Sequence, residues 1–99
     1  MITESALLEN RYFDSVFLMR VSKRLSEQAG ISYAALVMGT PKNIQILADA
    51  GYDGIDALGA SSNDLVVSLK ADSVEEARRL IDDLEQFLAV IVSVVLPVL

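Results

Sequence analysis

The residues best placed to do chemistry in this chain are Gly39, Thr40, Lys42 and Asn43, in the run Val37-Met38-Gly39-Thr40-Pro41-Lys42-Asn43. An apolar stretch stops at Gly39, and Thr40 followed by Pro41 has the composition of an N-cap and a first helical position. A strand that delivers the backbone to a helix start presents unpaired N–H groups, which suit an anion. Thr40 adds a hydroxyl and Lys42 a point charge, so the chemistry expected is anion binding, held by the backbone N–H groups of Lys42 and Asn43. The same residues also make an ordinary capped helix start. The glycine spacing and Lys-Ser/Thr pair of a P-loop are missing.

Other polar groupings offer less. Gly59-Ala60-Ser61-Ser62-Asn63-Asp64 is a small-residue loop entering a strand. It could line a site opposite Thr40, although its composition is that of a turn. Asn10-Arg11-Tyr12-Phe13-Asp14-Ser15 joins an expected strand to an expected helix. Arg11 and the Ser15 N–H could add to a site there, while Tyr12 and Phe13 read as core anchors and Asp14 as a cap. Asp49, Asp53 and Asp56 crowd around Gly51 and Gly54 but lack the alternation and terminal Glu of an EF-hand, so they read as a solvated loop with no metal. No base–nucleophile pair is visible, and no catalytic residue is assigned.

The composition excludes whole reaction classes. With no His and no Cys in 99 residues, the chain cannot supply a Ser–His pair, an imidazole or thiolate metal ligand, a phosphohistidine or a disulfide. A formal net charge of -6 argues against nucleic acid and against an anionic membrane surface. Two acids by residue nine and no basic, apolar leader give the expectation of a cytoplasmic protein without a signal peptide.

The elements that must position these residues follow from periodicity. A strand is expected over about 6–13, with Leu8, Asn10 and Tyr12 on one side and Leu7, Glu9, Arg11 and Phe13 on the other. A helix over about 15–29 follows, capped by Asp14, stopped by Gly30 and burying Phe17, Leu18, Val21, Leu25 and Ala29. A second strand covers 31–38, a short helix 41–50, and a long loop 52–63. The strand over 64–71 alternates Leu65, Val67 and Leu69 with Val66, Ser68 and Lys70, predicting one buried face. Ser73 and Glu76 form a capping box for a helix over 74–88. From Phe87 onward thirteen residues carry only one polar side chain, Ser93. That is short of the roughly 20 needed to span a membrane. Its β-branched residues predict a last strand over 89–96, closed by Pro97. The chain is therefore expected to be one domain, 1–99, of the α+β class: a ferredoxin-like βαββαβ sandwich with a short extra helix after the second strand. The alternative is a three-stranded parallel βαβαβα sheet with a swapped or docked C-terminal strand.

Several runs, Asn10-Arg11-Tyr12-Phe13-Asp14-Ser15-Val16-Phe17-Leu18-Met19, Ser22-Lys23-Arg24-Leu25-Ser26-Glu27, Val37-Met38-Gly39-Thr40-Pro41-Lys42-Asn43 and Asn63-Asp64-Leu65-Val66-Val67, resemble the N-terminal region of FdrA-type proteins. That family is similar to acyl-CoA synthetases of the succinyl-CoA synthetase alpha-subunit kind, some linked to carbamoyl transfer in ureide and purine breakdown. The resemblance, from about Asn10 to Leu88, implies a non-catalytic leading domain whose CoA-binding partner lies downstream. It implies no cofactor in this chain, with CoA bound by the parent protein. The expected partners are a CoA-ligase-like domain or subunit and other copies of the chain. A stand-alone small-molecule-binding regulatory module that dimerises is the alternative.

Overall fold

In a computed structural model, which describes residues 1–95 and side chains through Ala89, the chain runs β1 (Ile2–Leu8), α1 (Ser15–Ser26), β2 (Ile31–Met38), α2 (Pro41–Asp49), a single 3₁₀ turn (Ile55–Leu58), β3 (Leu65–Ala71), α3 (Val74–Asp82) and α4 (Leu84–Val95). The strand order is β1-β3-β2, and both pairings are antiparallel. This is the α+β arrangement of a ferredoxin-like fold in its first three strands, and the antiparallel pairing excludes the parallel alternative.

Strand β3 is the axis of packing. Leu65, Val67, Leu69 and Ala71 meet Phe17, Leu18, Val21 and Leu25 of α1, Ala77 of α3, and Leu84 and Leu88 of α4 in one core. On the opposite face Val66 packs with Leu47 of α2 and Ile55 of the 3₁₀ turn. The alternation in β3 predicted one buried face; the connection between β2 and β3 folds back and buries the second. Full burial of a side chain such as Ile55 is worth about 1.5–3 kcal/mol, which anchors the expected long loop. Gly54 and Gly59 (φ +79° and +66°) flank this turn in the left-handed region open to glycine. Lys70 fastens the end of α2 to the same face. Its Nζ donates to the Ala50 carbonyl at 3.1 Å and lies 4.7 Å from the Tyr52 ring centroid. A cation at a helix C-terminus and over an aromatic face is favourable on both counts.

Several boundaries differ from expectation, each for a local reason. The first strand is Ile2–Leu8 rather than 6–13, because Asn10 takes φ +56° and ends it. The aromatic pair Tyr12-Phe13, good strand formers, belongs to the following loop. Helix α1 stops at Ser26, and a turn through Gln28 leads to Gly30 at φ +81°, so Ala29 is exposed. Only half of the capping box forms: Ser73 Oγ accepts from the Glu76 N–H at 3.3 Å, whereas the Glu76 carboxylate lies over Gly30. The expected helix over 74–88 is broken at Asp83 into α3 and α4.

The strand expected over 89–96 is a helix through Val95, and residues 96–99 lie outside the described residues. Extending a helix that Leu84 and Leu88 already anchor needs no new nucleus. The propensity penalty of Val and Ile is below about 0.7 kcal/mol each. Among the described residues, no helix is long and apolar enough to cross a membrane.

One carboxylate closes an end of the sheet. Asp64 accepts from the backbone N–H of Asn10 (3.0 Å), the backbone N–H of Ser61 (2.9 Å) and Ser61 Oγ (3.0 Å), and its carbonyl accepts from Gly39 N–H at 2.8 Å. Hydrogen bonds from the Asn10 and Ser61 backbone hold its pKa below the ordinary 3.8. A depressed folded-state pKa stabilises the fold above the unfolded value and is lost as pH falls through the folded one. Asp64→Asn is therefore expected to lower Tm by several degrees at pH 7. It should also flatten the loss of stability on acidification below pH 3.8, measured by thermal melts across pH.

Candidate functional site

The expected anion-binding residues lie at the junction of β2 and α2. Thr40 caps α2: its Oγ1 accepts from the Asn43 N–H at 3.2 Å, and its carbonyl accepts from the Ile44 N–H at 3.0 Å. Asn43 Nδ2 donates back to the Met38 carbonyl at 2.9 Å, locking strand end to helix start. Of the two N–H groups expected to hold an anion, that of Asn43 is paired with the cap. Lys42, as the second residue of the helix, has no intrahelical acceptor for its N–H, and its side chain is exposed.

Gly39 is there for packing. It is buried, and a Cβ on it would lie 2.6 Å from the Ser61 carbonyl oxygen and 2.7 Å from the Ala60 Cβ. The small-residue loop at 59–64 does face Thr40's strand end, and glycine is what allows the close approach. The Asp49, Asp53 and Asp56 side chains are exposed, with Asp49 accepting from Gln45 Nε2 at 2.8 Å.

What the sequence did not reveal is that this junction shares a cleft with the start of α1. The cleft has a volume of about 230 Å³. Phe13, Leu18, Leu36 and Met38 supply apolar walls, and Asp14, Ser15 and Asn43 the polar groups. Asp14 occupies the N-cap position, but its side chain makes no capping hydrogen bond. Arg11 turns away to pair with Glu85 of α4 and sits 5.8 Å from the Phe13 ring centroid, so it does not join the site. Tyr12, Val16 and Met19 stand at this end of α1 with 73%, 56% and 71% of their surface exposed. Val16 and Met19, three apart on a helix, share one face. The i,i+3 spacing was legible; the outward direction was not, since Val16 and Met19 adjoin the buried Phe17 and Leu18 in sequence.

The split β-α-β arrangement, with β3 inserted antiparallel between β1 and β2 and helices packed on it, defines a ferredoxin-like domain. The family described as "AllF, heavy metal-associated domain" matches residues 1–93, and the chain belongs to that family. This agrees with the resemblance to FdrA-like N-terminal domains. Among curated proteins the chain is similar to "Uncharacterized protein YahF" of Escherichia coli (strain K12), 30% identical over 77 residues. That match covers 78% of this chain and 15% of the relative, so the chain spans a small part of the relative's length. No solved structure matches it.

A heavy metal does not fit the residues present. Soft and borderline metals select thiolate and imidazole ligands, and the chain contains neither Cys nor His. Among the described residues no group of three or more acidic side chains could hold an ion either. Titration with Zn(II) or Cu(I) is accordingly expected to leave Tm unchanged, because a ligand stabilises only the state that binds it. A stoichiometric rise in Tm with either ion would contradict this account of the donor set.

Proposed function

We propose that this chain is a non-catalytic N-terminal accessory and assembly domain of an FdrA-like acyl-CoA synthetase, a CoA-ligase-like protein linked to carbamoyl transfer in ureide breakdown. The observation that carries the reading is that exposed Tyr12 and Met19 line an apolar-walled cleft, with Val16 exposed on the same end of α1. Single exposed apolar residues are ordinary, but a group of them rimming a concavity is the composition of a contact surface. The family match and the small share of the longer relative support a leading domain within a larger system. The absence of His and Cys from the chain supports the non-catalytic part. On this reading the partner is the CoA-ligase-like domain or subunit, CoA belongs to that partner, and the setting is the cytoplasm.

A second reading, a small-molecule-binding regulatory module that dimerises, would use the same cleft. Its volume of about 230 Å³ lies just below the range of about 300–1,000 Å³ typical of ligand sites. Of Gly39, Thr40, Lys42 and Asn43, only Asn43 lines this cleft, and the Asp14 carboxyl group on the other wall disfavours an anionic ligand.

Calorimetric titration of the chain into the CoA-ligase-like partner separates the readings. Met19→Glu is expected to weaken the complex at least tenfold, about 1.4 kcal/mol. Its Tm should stay close to that of the unmodified chain, since Met19 is 71% exposed. Unchanged affinity, or acyl-CoA synthetase activity from this chain alone, contradicts the assembly reading. A rise in Tm with CoA, acyl-CoA, carbamoyl phosphate or a ureide favours the regulatory one.

A further inference from the structure

We propose that the outer edge of β1 is a self-association surface, on which a second copy of this chain pairs antiparallel through its own β1 to make one six-stranded sheet. In a βαββαβ sandwich the fourth strand lies against that edge. Here the segment that would supply it is helical through Val95, and among the described residues β1 is the end of the sheet. This edge is distinct from the α1 start on which the accessory-domain reading rests.

The two edges of this sheet are treated differently. The β2 edge is blunted: its pairing with β3 is interrupted by an irregularity between Ile31 and Tyr33, and Ser22 Oγ of α1 accepts the Leu36 N–H at 3.0 Å. Bulges and covering groups of this kind are how proteins prevent strand addition. Among the described residues the β1 edge has neither. Its seven residues pair with β3 in unbroken register from Ile2↔Ala71 to Leu8↔Leu65, and they include no Pro and no Lys. Its single charge, Glu4, faces the helices, and its Oε1 lies 3.9 Å from Arg78 Nε of α3. Such an inward charge opposes strand addition only while it lacks a partner.

The sequence of β1 selects one two-fold register. A continuous sheet keeps Thr3, Ser5 and Leu7 on the face shared with Val66, Ser68 and Lys70, and Ile2, Glu4, Ala6 and Leu8 on the other. An axis through Glu4 would set two carboxylates directly opposite each other, which is destabilising. An axis through Ala6 would leave Ile2 and Thr3 without partners. An axis through Ser5 pairs all seven residues, with Ile2 against Leu8 of the partner copy, Thr3 against Leu7 and Glu4 against Ala6. Ile2 and Leu8 are only partly buried against the main core, so the pairing extends that core from one copy to the next. The contact is isologous and closes at two copies.

The cysteine-free chain makes the register directly testable. The unmodified protein should sediment at tens of micromolar with twice its 10.7 kDa mass. Directly opposed antiparallel residues have Cα atoms about 4.5–5.5 Å apart, within the roughly 4.4–6.8 Å that a disulfide spans. Ser5→Cys should therefore oxidise rapidly to a covalent dimer, whereas Ser62→Cys, on the exposed loop before β3, should not. A monomeric unmodified chain overturns the proposal. So does a dimer in which Ser5→Cys crosslinks no faster than Ser62→Cys, because the contact then lies elsewhere. Should Ser5→Cys fail to fold, amide exchange in the unmodified chain decides: β1 amides that slow with rising concentration support the pairing, and unchanged rates overturn it.

Discussion

Asp64, through its carboxylate and its backbone carbonyl, ties the same end of all three strands together. It takes the Asn10 N–H from the end of β1 and both donors of Ser61 from the loop, while its own carbonyl takes the Gly39 N–H from the end of β2. Charge-assisted hydrogen bonds to backbone donors are about twice as strong as neutral ones, and those donors have no ladder partner at a sheet end. With that end closed, Gly39 is held against Ser61 and Ala60, Met38 is aimed at Asn43, and the start of α2 is set beside the start of α1. The cleft exists because the sheet end is knotted.

Much of the fold was legible because it rests on local pattern. The period-two alternation in β3, the Thr40-Pro41 helix start and the helical spacing of Phe17, Leu18, Val21 and Leu25 each report their own surroundings. What was not legible depends on groups far apart in the chain. That β3 is buried on both faces depends on Ile55 and Leu47 folding back over Val66. The start of β1 was masked by short polar residues, Thr3, Glu4 and Ser5, whose strand conformation is set by pairing with β3. The β-branched run after Leu88 has strand propensity, yet it continues a helix whose first turns Leu84 and Leu88 anchor. Strand propensity largely measures a neighbouring strand's presence, and that segment follows a helix.

The candidate site divides in the same way. Thr40 as a cap and Gly39 as a junction could be read from the sequence, but the cap uses the Asn43 N–H that an anion was expected to take. The other wall, from Phe13 to Met19, carries the pattern of a core anchor, a cap and a buried stripe, and only the fold brings it to Met38 and Asn43. A domain of the heavy-metal-associated family without Cys or His keeps the scaffold and lacks the ligands. What it offers at the α1 start is exposed apolar surface, Tyr12, Val16 and Met19.

Hydrogen–deuterium exchange of this chain, alone and in complex with the CoA-ligase-like protein, tests most directly the claim that the α1 start is the working surface. The account predicts slowed exchange on binding at residues 12–19 and 38–43, with α3 and the outer face of α2 unaffected. Protection confined to other segments, or a complex that leaves 12–19 and 38–43 exchanging as in the free chain, would contradict it.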